Sequence, residues 1–551
     1  MYLSCFDEVK DITEQMVRVP SIVKTSGESD CARTILAYYQ SLPYFQQHPD
    51  HLTLQRTEDD EIERYNVIAM VRGAAKENAR TVLLMGHFDT VGIDDYGPLK
   101  PHACDPSALP TLLRELPLSD EVKRDIDSGE YMFGRGALDM KSGVAGHMYL
   151  IKYFSEHPEA LNGTLIAMAQ CDEEDGSHGA LSCLSHLKKL KGQYGLEYQA
   201  AVNADFSTPA DLEDDSRYIY FGTIGKVLPS FYVVGKEAHV GQAFAALDPN
   251  LLVAEITRLI SLNADLSDES QGEVTVPPVS LKQADFKDHY TVQTALTAYA
   301  YYNFFVHKMA PEDVMEKVEA LAHTAFENVI ADLNRNFEKY SGLCGTPYTP
   351  LPWKPRVYTW EAFRKEMEAL HGDTFTKHMA DFGHKLHTAQ PNLDLRLYSV
   401  QMVEEAWKWA EDKSPAIIIY FSSTFCARME LTGEAPREAA LLNATRQAVE
   451  KVQPTIQNPV VTKMFYPYIS DISFLGMSDS RESLARLASN MPAWGEKYTY
   501  PIDDIMEIDV PAVNIGSFGK DGHMLTERVH MRYTFETVPN ITYNTILKLL
   551  E

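Results

Sequence analysis

The chain has 551 residues, of which 45% are hydrophobic and 23% charged, and its formal net charge is −28. The length calls for two or more domains, and the composition is that of a soluble globular protein. Such acidity repels phosphate backbones and anionic lipid, so neither nucleic acid nor a membrane is an expected partner.

No apolar run reaches the ~18 residues that a membrane span needs. Met1 to Pro20 lacks the basic segment and apolar core of a signal peptide. Its apolar positions Val9, Ile12, Met16 and Val17 fit an amphipathic helix instead. The seven cysteines are scattered, odd in number and without CxxC pairs. That pattern suits reduced thiols and a cytoplasmic location.

After the first helix, Val19-Pro-Ser-Ile22 reads as a loop, and Ala32 to Leu42 returns to helical spacing. Tyr65 to Val71 reads as a strand. The next run, Thr81-Val-Leu-Leu-Met-Gly-His-Phe-Asp-Thr-Val91, is a buried strand that stops at Gly86 and delivers His87 and Asp89 at its C-terminal end. Sites gather at that edge of open α/β sheets. Asp89 is expected to hydrogen-bond one ring nitrogen of His87 and leave the other for a metal. Gly92 to Glu130 is a long polar connection of the kind that is often functional or mobile.

A Gly-rich turn, Phe133-Gly-Arg-Gly-Ala-Leu-Asp139, precedes a helix from about Ser142 to Phe154. Its spacing is not that of a nucleotide-binding loop, and a nucleotide-dependent transferase ranks last among the readings. Asp139 is either a helix cap or a metal ligand. A strand over Gly163 to Ala169 runs into the acids Asp172 to Asp175, whose crowding is costly unless a cation sits there. The helix Gly179 to Leu190 leads to a strand, Gln199 to Asn203, that ends in Asp205. This alternation implies a mainly parallel sheet with its strand ends on one edge.

The character changes near Gly222. Strands over Tyr218 to Ile224 and Leu228 to Val234, an amphipathic helix Pro249 to Leu262, β-structure in Thr291 to Phe305 and a helix Pro311 to Asn328 suggest a second domain. The segment from about 335 to 415 is rich in aromatics, His and Pro, with helical pieces at Trp360 to Leu370 and Ser399 to Trp409. Ala416 to Ser422 is a buried strand and Pro436 to Val452 a helix. Strands Val460 to Tyr466 and Val510 to Ile515 follow, the last leading to His523 and Glu527.

The strand-end residues His87, Asp139, Glu173, Glu174, Asp205 and His523 suit two divalent metals, zinc first and manganese or cobalt next. One of two adjacent glutamates can hold metal while its neighbour serves as general base. In this order the motifs resemble the M20 metallopeptidase and deacylase family, which includes carboxypeptidase G2, succinyl-diaminopimelate desuccinylases and acetylornithine deacetylases. They carry the resemblance over 1–245 and about 435–551. Gly-His-Phe-Asp-Thr-Val with the nearby Asp95-Tyr-Gly97, the long middle and Tyr468-Ile-Ser-Asp-Ile-Ser-Phe474 look most like the arginine-utilisation hydrolase branch.

The resemblance implies an α/β, Zn-peptidase-like catalytic domain built from 1–221 and 431–551. It also implies an inserted α+β lid and dimerisation domain at 222–430, enlarged by about 335–415. His87 and Asp205 would hold one metal, Glu174 and His523 the other, and Asp139 would bridge them. Asp89 would orient His87, and Glu173 would be the base that moves a proton from water to the leaving amine. Gly235-Lys-Glu-Ala-His239 matches the lid motif whose histidine serves a partner subunit's site, implying a homodimer. The expected activity is hydrolysis of an amide bond in a small peptide or N-acyl amino acid; the alternative is a catalytically silent binding or regulatory protein. Two departures stand out. The lid strand at Tyr301-Tyr-Asn303 lacks the family arginine that grips substrate carboxylate, leaving Asn303 as a candidate contact. The segment from about 335 to 430 has no family counterpart.

Overall fold

A computed structural model describes residues 2–74, 78–211, 213–422 and 424–551. The chain divides into two compact units. The first comprises Met1–Thr223, Met429–Met477 and Asp503–Glu551; the second comprises Ile224–Arg428 and Ser478–Ile502. The sequence assigned 431–551 whole to one domain, whereas Ser478–Ile502 packs in the second unit.

The first unit is built on an eight-stranded sheet. From one edge the strands run Leu52–Arg56, Tyr65–Arg72, Thr164–Gln170, Arg80–His87, Glu197–Asn203, Ala512–Asn514, Arg217–Phe221 and Val460–Lys463. The four strands from Thr164–Gln170 to Ala512–Asn514 pair in parallel, and antiparallel pairs flank them. The Arg80–His87 strand is buried from Thr81 onward. This explains its continuous apolar run, because strands covered on both faces need no polar alternation. The helices Phe6–Val17, Ser142–Glu156 and Val538–Leu550 pack together beside it.

The connection at 92–130 is not an open loop. It folds into helical turns over Asp94–His102, Leu109–Leu113 and Asp120–Ser128. Ser119 caps the last of these and Gly129 ends it in the left-handed region at φ 67°. Tyr96, Leu109, Leu113, Val122, Ile126 and Phe133 form a small core beneath. The sparse apolar residues, widely spaced between polar ones, hid this pattern.

The second unit has a six-stranded sheet. Val279–Asp285, Thr297–Val306, Pro229–Val234, Ala416–Phe421 and Val357–Thr359 lie side by side, with Gly225–Val227 also paired to Thr297–Val306. The helix begun at Pro311 runs 34 residues to Cys344, well past Asn328, because nothing breaks it before Gly345 at φ 68°. Three helices, Trp360–His371, Asp373–Ala389 and Leu395–Trp407, then build a further core around Trp360, Phe363, Phe375, Tyr398 and Trp407. The middle one was not foreseen. Its His- and Thr-rich sequence masks an apolar face at Phe375, Met379 and Leu386. All seven cysteines are free thiols. Among the described residues, no helix is long and apolar enough to cross a membrane.

Candidate metal centre

Register brings the site together. His87, last in its strand, lies opposite Gln170, and Met85 lies opposite Asn203 on the other side. His87, the Asp172-Glu173-Glu174 turn and Asp205 therefore leave three neighbouring parallel strands at one edge. Asp139 comes from the turn that opens with Gly136, whose φ of 78° favours glycine. Gly143 then lets the following helix approach Ala204, where a Cβ would sit 2.3 Å from the Ala204 carbonyl oxygen. That close packing holds Asp139 beside the Asp205 strand end. His523 reaches the site from the turn between the short strands Gly519–Lys520 and Arg528–His530, with φ 64°.

Asp139 faces both imidazoles. Its Oδ1 is 3.0 Å from His87 Nε2, and its Oδ2 is 2.8 Å from His523 Nε2. Glu174 Oε1 lies 2.9 Å from His523 Nε2. His87, Asp139 and Asp205 offer ligand atoms all within 4.8 Å of one another, and so do Asp139, Glu174 and His523. Glu173 belongs to neither set, but its Oε2 is 3.9 Å from His87 Nε2. His239 lies in the second unit, exposed, with Nδ1 accepting a hydrogen bond from the Gly241 N–H at 3.1 Å.

The donor chemistry fits two divalent cations sharing Asp139. Buried carboxylates at this density resist ionisation. Burial and the Asp139 charge push Asp205 up to about 7. Burial also raises Glu173 well above the usual carboxylate range. Hydrogen bonds to Asp139 and Glu174 raise His523 to about 10. Burial alone would lower His87, yet Asp139 and its other acidic neighbours hold it well above the ordinary histidine value. Protons thus supply the positive charge that metal ions would otherwise provide, and mixed imidazole and carboxylate donors suit zinc, manganese or cobalt.

Asp89 differs from expectation. His87 Nδ1 is 3.1 Å from the Asp89 carbonyl oxygen, while the nearer Asp89 carboxylate oxygen is 3.6 Å away. The carboxylate instead accepts the backbone N–H groups of Glu173 and Glu174, each at 3.1 Å. These donors follow a strand and have no ladder to join, so Asp89 holds the glutamate turn more directly than it holds the ring.

Several supporting residues gave no signal in sequence. Arg64, 2% exposed, contacts Asp172 Oδ1 at 2.5 Å, Glu28 Oε2 at 3.2 Å and Asp60 Oδ2 at 2.7 Å. Asp172 immediately precedes the two glutamates, and its other oxygen accepts from the His178 backbone at 3.1 Å. Arg135 Nη1 donates to Glu527 Oε2 at 2.6 Å, and Nη2 reaches Asp95 Oδ2 at 2.9 Å and the His523 carbonyl at 3.3 Å. Glu527 in turn accepts from the Leu138 N–H at 3.1 Å and the Asp139 N–H at 3.4 Å. One buried ion pair thus ties the Asp139 turn to the His523 loop. Glu527 stood in the sequence motif; Arg64's pairs with Glu28 and Asp172, and Arg135's pair with Glu527, join residues too distant in the chain for any spacing rule.

A parallel-cored α/β sheet with two donor triads sharing a carboxylate at its strand ends defines a metal-dependent hydrolase of the Zn-peptidase-like class. The model of peptidase family M20/M25/M40 matches residues 83–481, and the chain belongs to that family. It is similar to Protein RocB of Bacillus subtilis (strain 168), at 34% identity over 545 residues, covering 99% of this chain and 95% of that protein. It is also similar to the uncharacterized protein YqjN of the same organism, at 30% over 549 residues, covering 99% and 97%. Both matches span the enlarged middle segment. Among solved structures, aminopeptidase PepT from Bacillus cereus ATCC 10987 aligns with a TM-score of 0.51 at 12% identity, covering 99% of each chain. That likeness is one of fold.

Proposed function

We propose that the protein cleaves an amide bond in a small peptide or N-acyl amino acid, acting in the cytoplasm as a homodimer. The observation that carries this reading is Asp139, which presents one oxygen to each imidazole while Glu173 stands beside His87 and belongs to neither triad. His87 and Asp205 would hold one metal, Glu174 and His523 the other, and Asp139 both. Bound zinc, manganese or cobalt would polarise the scissile carbonyl and lower the pKa of water.

The remaining steps belong to side chains. Glu173 accepts a proton from the attacking water and passes it to the leaving nitrogen. Its raised pKa, a result of burial among other acids, suits a group that must hold that proton between the two transfers. Asp89 and the Arg64–Asp172 pair keep the glutamate turn in place. His239 of the partner subunit would donate to the developing oxyanion; the Gly235-Lys-Glu-Ala-His239 spacing supports this. The second unit would serve as lid and dimer surface. Its strand Thr297–Val306 carries no arginine, and Asn303, half-buried on that strand, is the candidate polar contact for substrate.

The finer placement in arginine or amino-acid catabolism rests on the motif resemblance. A panel of N-acyl amino acids and dipeptides, including arginine derivatives, assayed with zinc, manganese and cobalt tests both levels. Metal-dependent turnover abolished in Glu173→Ala supports the hydrolase reading. Full metal occupancy with unchanged turnover in that variant overturns it. Preference for arginine derivatives supports the finer placement, and their rejection removes it.

A further inference from the structure

A second cavity, of about 540 Å³, lies within the second unit, walled by one face each of the three helices Trp360–His371, Asp373–Ala389 and Leu395–Trp407 and by the chain at 488–496. Trp360, Phe375, Met379 and Met402 give it an apolar wall, each less than a tenth exposed. Aromatic rings and thioethers of this kind adapt to varied apolar bodies and favour cations over their faces.

Two polar features are unspent. The hydroxyl of Tyr398, a fully buried wall residue, has no hydrogen-bond partner among the described residues. Leaving a buried hydroxyl unpaired is unfavourable, and a ligand group that hydrogen-bonds it would recover that cost. Glu496, also in the wall, pairs with the histidines His384 and His387, at 3.1 and 3.6 Å, as its ion-pair partners among the described residues. Glu496 and Tyr398 line the same cavity. The other acid of the wall, Glu368, already faces Arg364 at 3.7 Å. Gly383 packs against the hydroxyl: a Cβ there would sit 2.8 Å from Tyr398 Oη and 3.3 Å from Met402 Cε, so a larger side chain would crowd this wall.

We propose that this cavity is a ligand site, separate from the metal centre, for a primary ammonium group carried on an apolar body. The ammonium donates to the Glu496 carboxylate and the Tyr398 hydroxyl, and the body lies against Trp360, Phe375 and the methionines. Both simple amines and apolar amino acids carry this chemistry. In an amino acid, the carboxylate would additionally face Arg364.

The test is calorimetric titration of the metal-loaded full-length protein with phenethylamine, L-phenylalanine and 3-phenylpropionate, repeated on Glu496→Gln, Tyr398→Phe and Gly383→Leu. Saturable binding of phenethylamine that weakens at least tenfold in Glu496→Gln supports the site. Tighter binding of L-phenylalanine than of phenethylamine, lost in Arg364→Gln, identifies amino acids as the source; equal binding identifies amines. Gly383→Leu should block every probe. Tyr398→Phe, which removes a hydroxyl without partners, controls for folding and should weaken only the ammonium-bearing probes. The proposal is overturned if no probe saturates, if 3-phenylpropionate binds as tightly as phenethylamine, or if Glu496→Gln leaves binding unchanged. An amine that binds only at the metal centre gives the last result.

Discussion

His87 and Asp205 stand at the ends of adjacent parallel strands and are 3% and 4% exposed. Glu174 and His523 stand on turns, and the His523 side chain is 46% exposed with a left-handed backbone. The two halves share Asp139 yet get their geometry from different sources. The strand-built half is fixed by backbone ladders and by the packing of the Ser142–Glu156 helix. The turn-built half depends on side-chain networks, with Asp89 and Arg64–Asp172 under Glu174 and Arg135–Glu527 under His523. On this division, the metal held by Glu174 and His523 would be the more exchangeable of the two.

The largest expected effect comes from the group outside both halves. Glu173→Ala should lower kcat by on the order of 10²–10⁴-fold, as loss of a general base does. Both metals should remain, which elemental analysis checks. The next effect separates the halves. His87→Ala should remove one metal equivalent and leave the other, and His523→Ala should do the same for the opposite site. Under graded chelation of the wild type, one equivalent should leave first, and that step should be missing from the His523→Ala profile. Loss of both metals together, or retention of full occupancy by His87→Ala, breaks the comparison.

The strand-built half was the legible one. Val82 to Met85 stops at Gly86 and puts His87 at a sheet edge, and Gln199 to Asn203 does the same for Asp205. Period and punctuation suffice there, because a buried parallel strand must be apolar and must end somewhere. The turn-built half was legible only through motif order. Its geometry depends on Arg135 meeting Glu527 and Arg64 meeting Glu28 and Asp172, pairs separated by 392, 36 and 108 residues. No local pattern encodes such pairs. Tertiary packing also decided the 92–130 segment and the helix Asp373–Ala389, where a few apolar residues anchor otherwise polar sequence.

Smaller effects sharpen the division. Arg135→Gln leaves Glu527 buried without its cation, a change that costs about 3–5 kcal/mol when a buried pair is broken. Thermal unfolding of the metal-loaded protein should register this, with the Glu174–His523 metal weakened more than the other. Arg135→Lys should recover stability better than metal affinity, since an ammonium cannot reproduce the three directions the guanidinium serves. Asp89→Asn should keep both metals but bind them about 10–100-fold more weakly. Because the Asp89 carboxylate holds the Glu173 and Glu174 backbone, kcat should fall along with affinity. A change confined to the His87 metal would return Asp89 to the simpler role of orienting a ring.

The last effect is a pH dependence that the metals should invert. In the metal-free protein Asp205 is raised to about 7 by burial and the Asp139 charge, against about 3.9 in an unfolded chain. A raised pKa means that the folded state binds the proton more tightly than the unfolded state does. The associated stability is therefore complete below about pH 4 and lost as pH rises through about 7. His523, raised to about 10 by Asp139 and Glu174, extends the same trend, present below about 6.5 and lost towards 10. Metal binding displaces these protons, so its stabilisation grows with pH over the same interval. Melting curves with and without chelator should diverge as pH rises from about 5 to 8, the metal-free Tm falling while the metal-loaded Tm holds. Parallel curves would show that the two triads do not take up cations in exchange for protons, and the assignment of Asp205 and His523 to metals would fail with them.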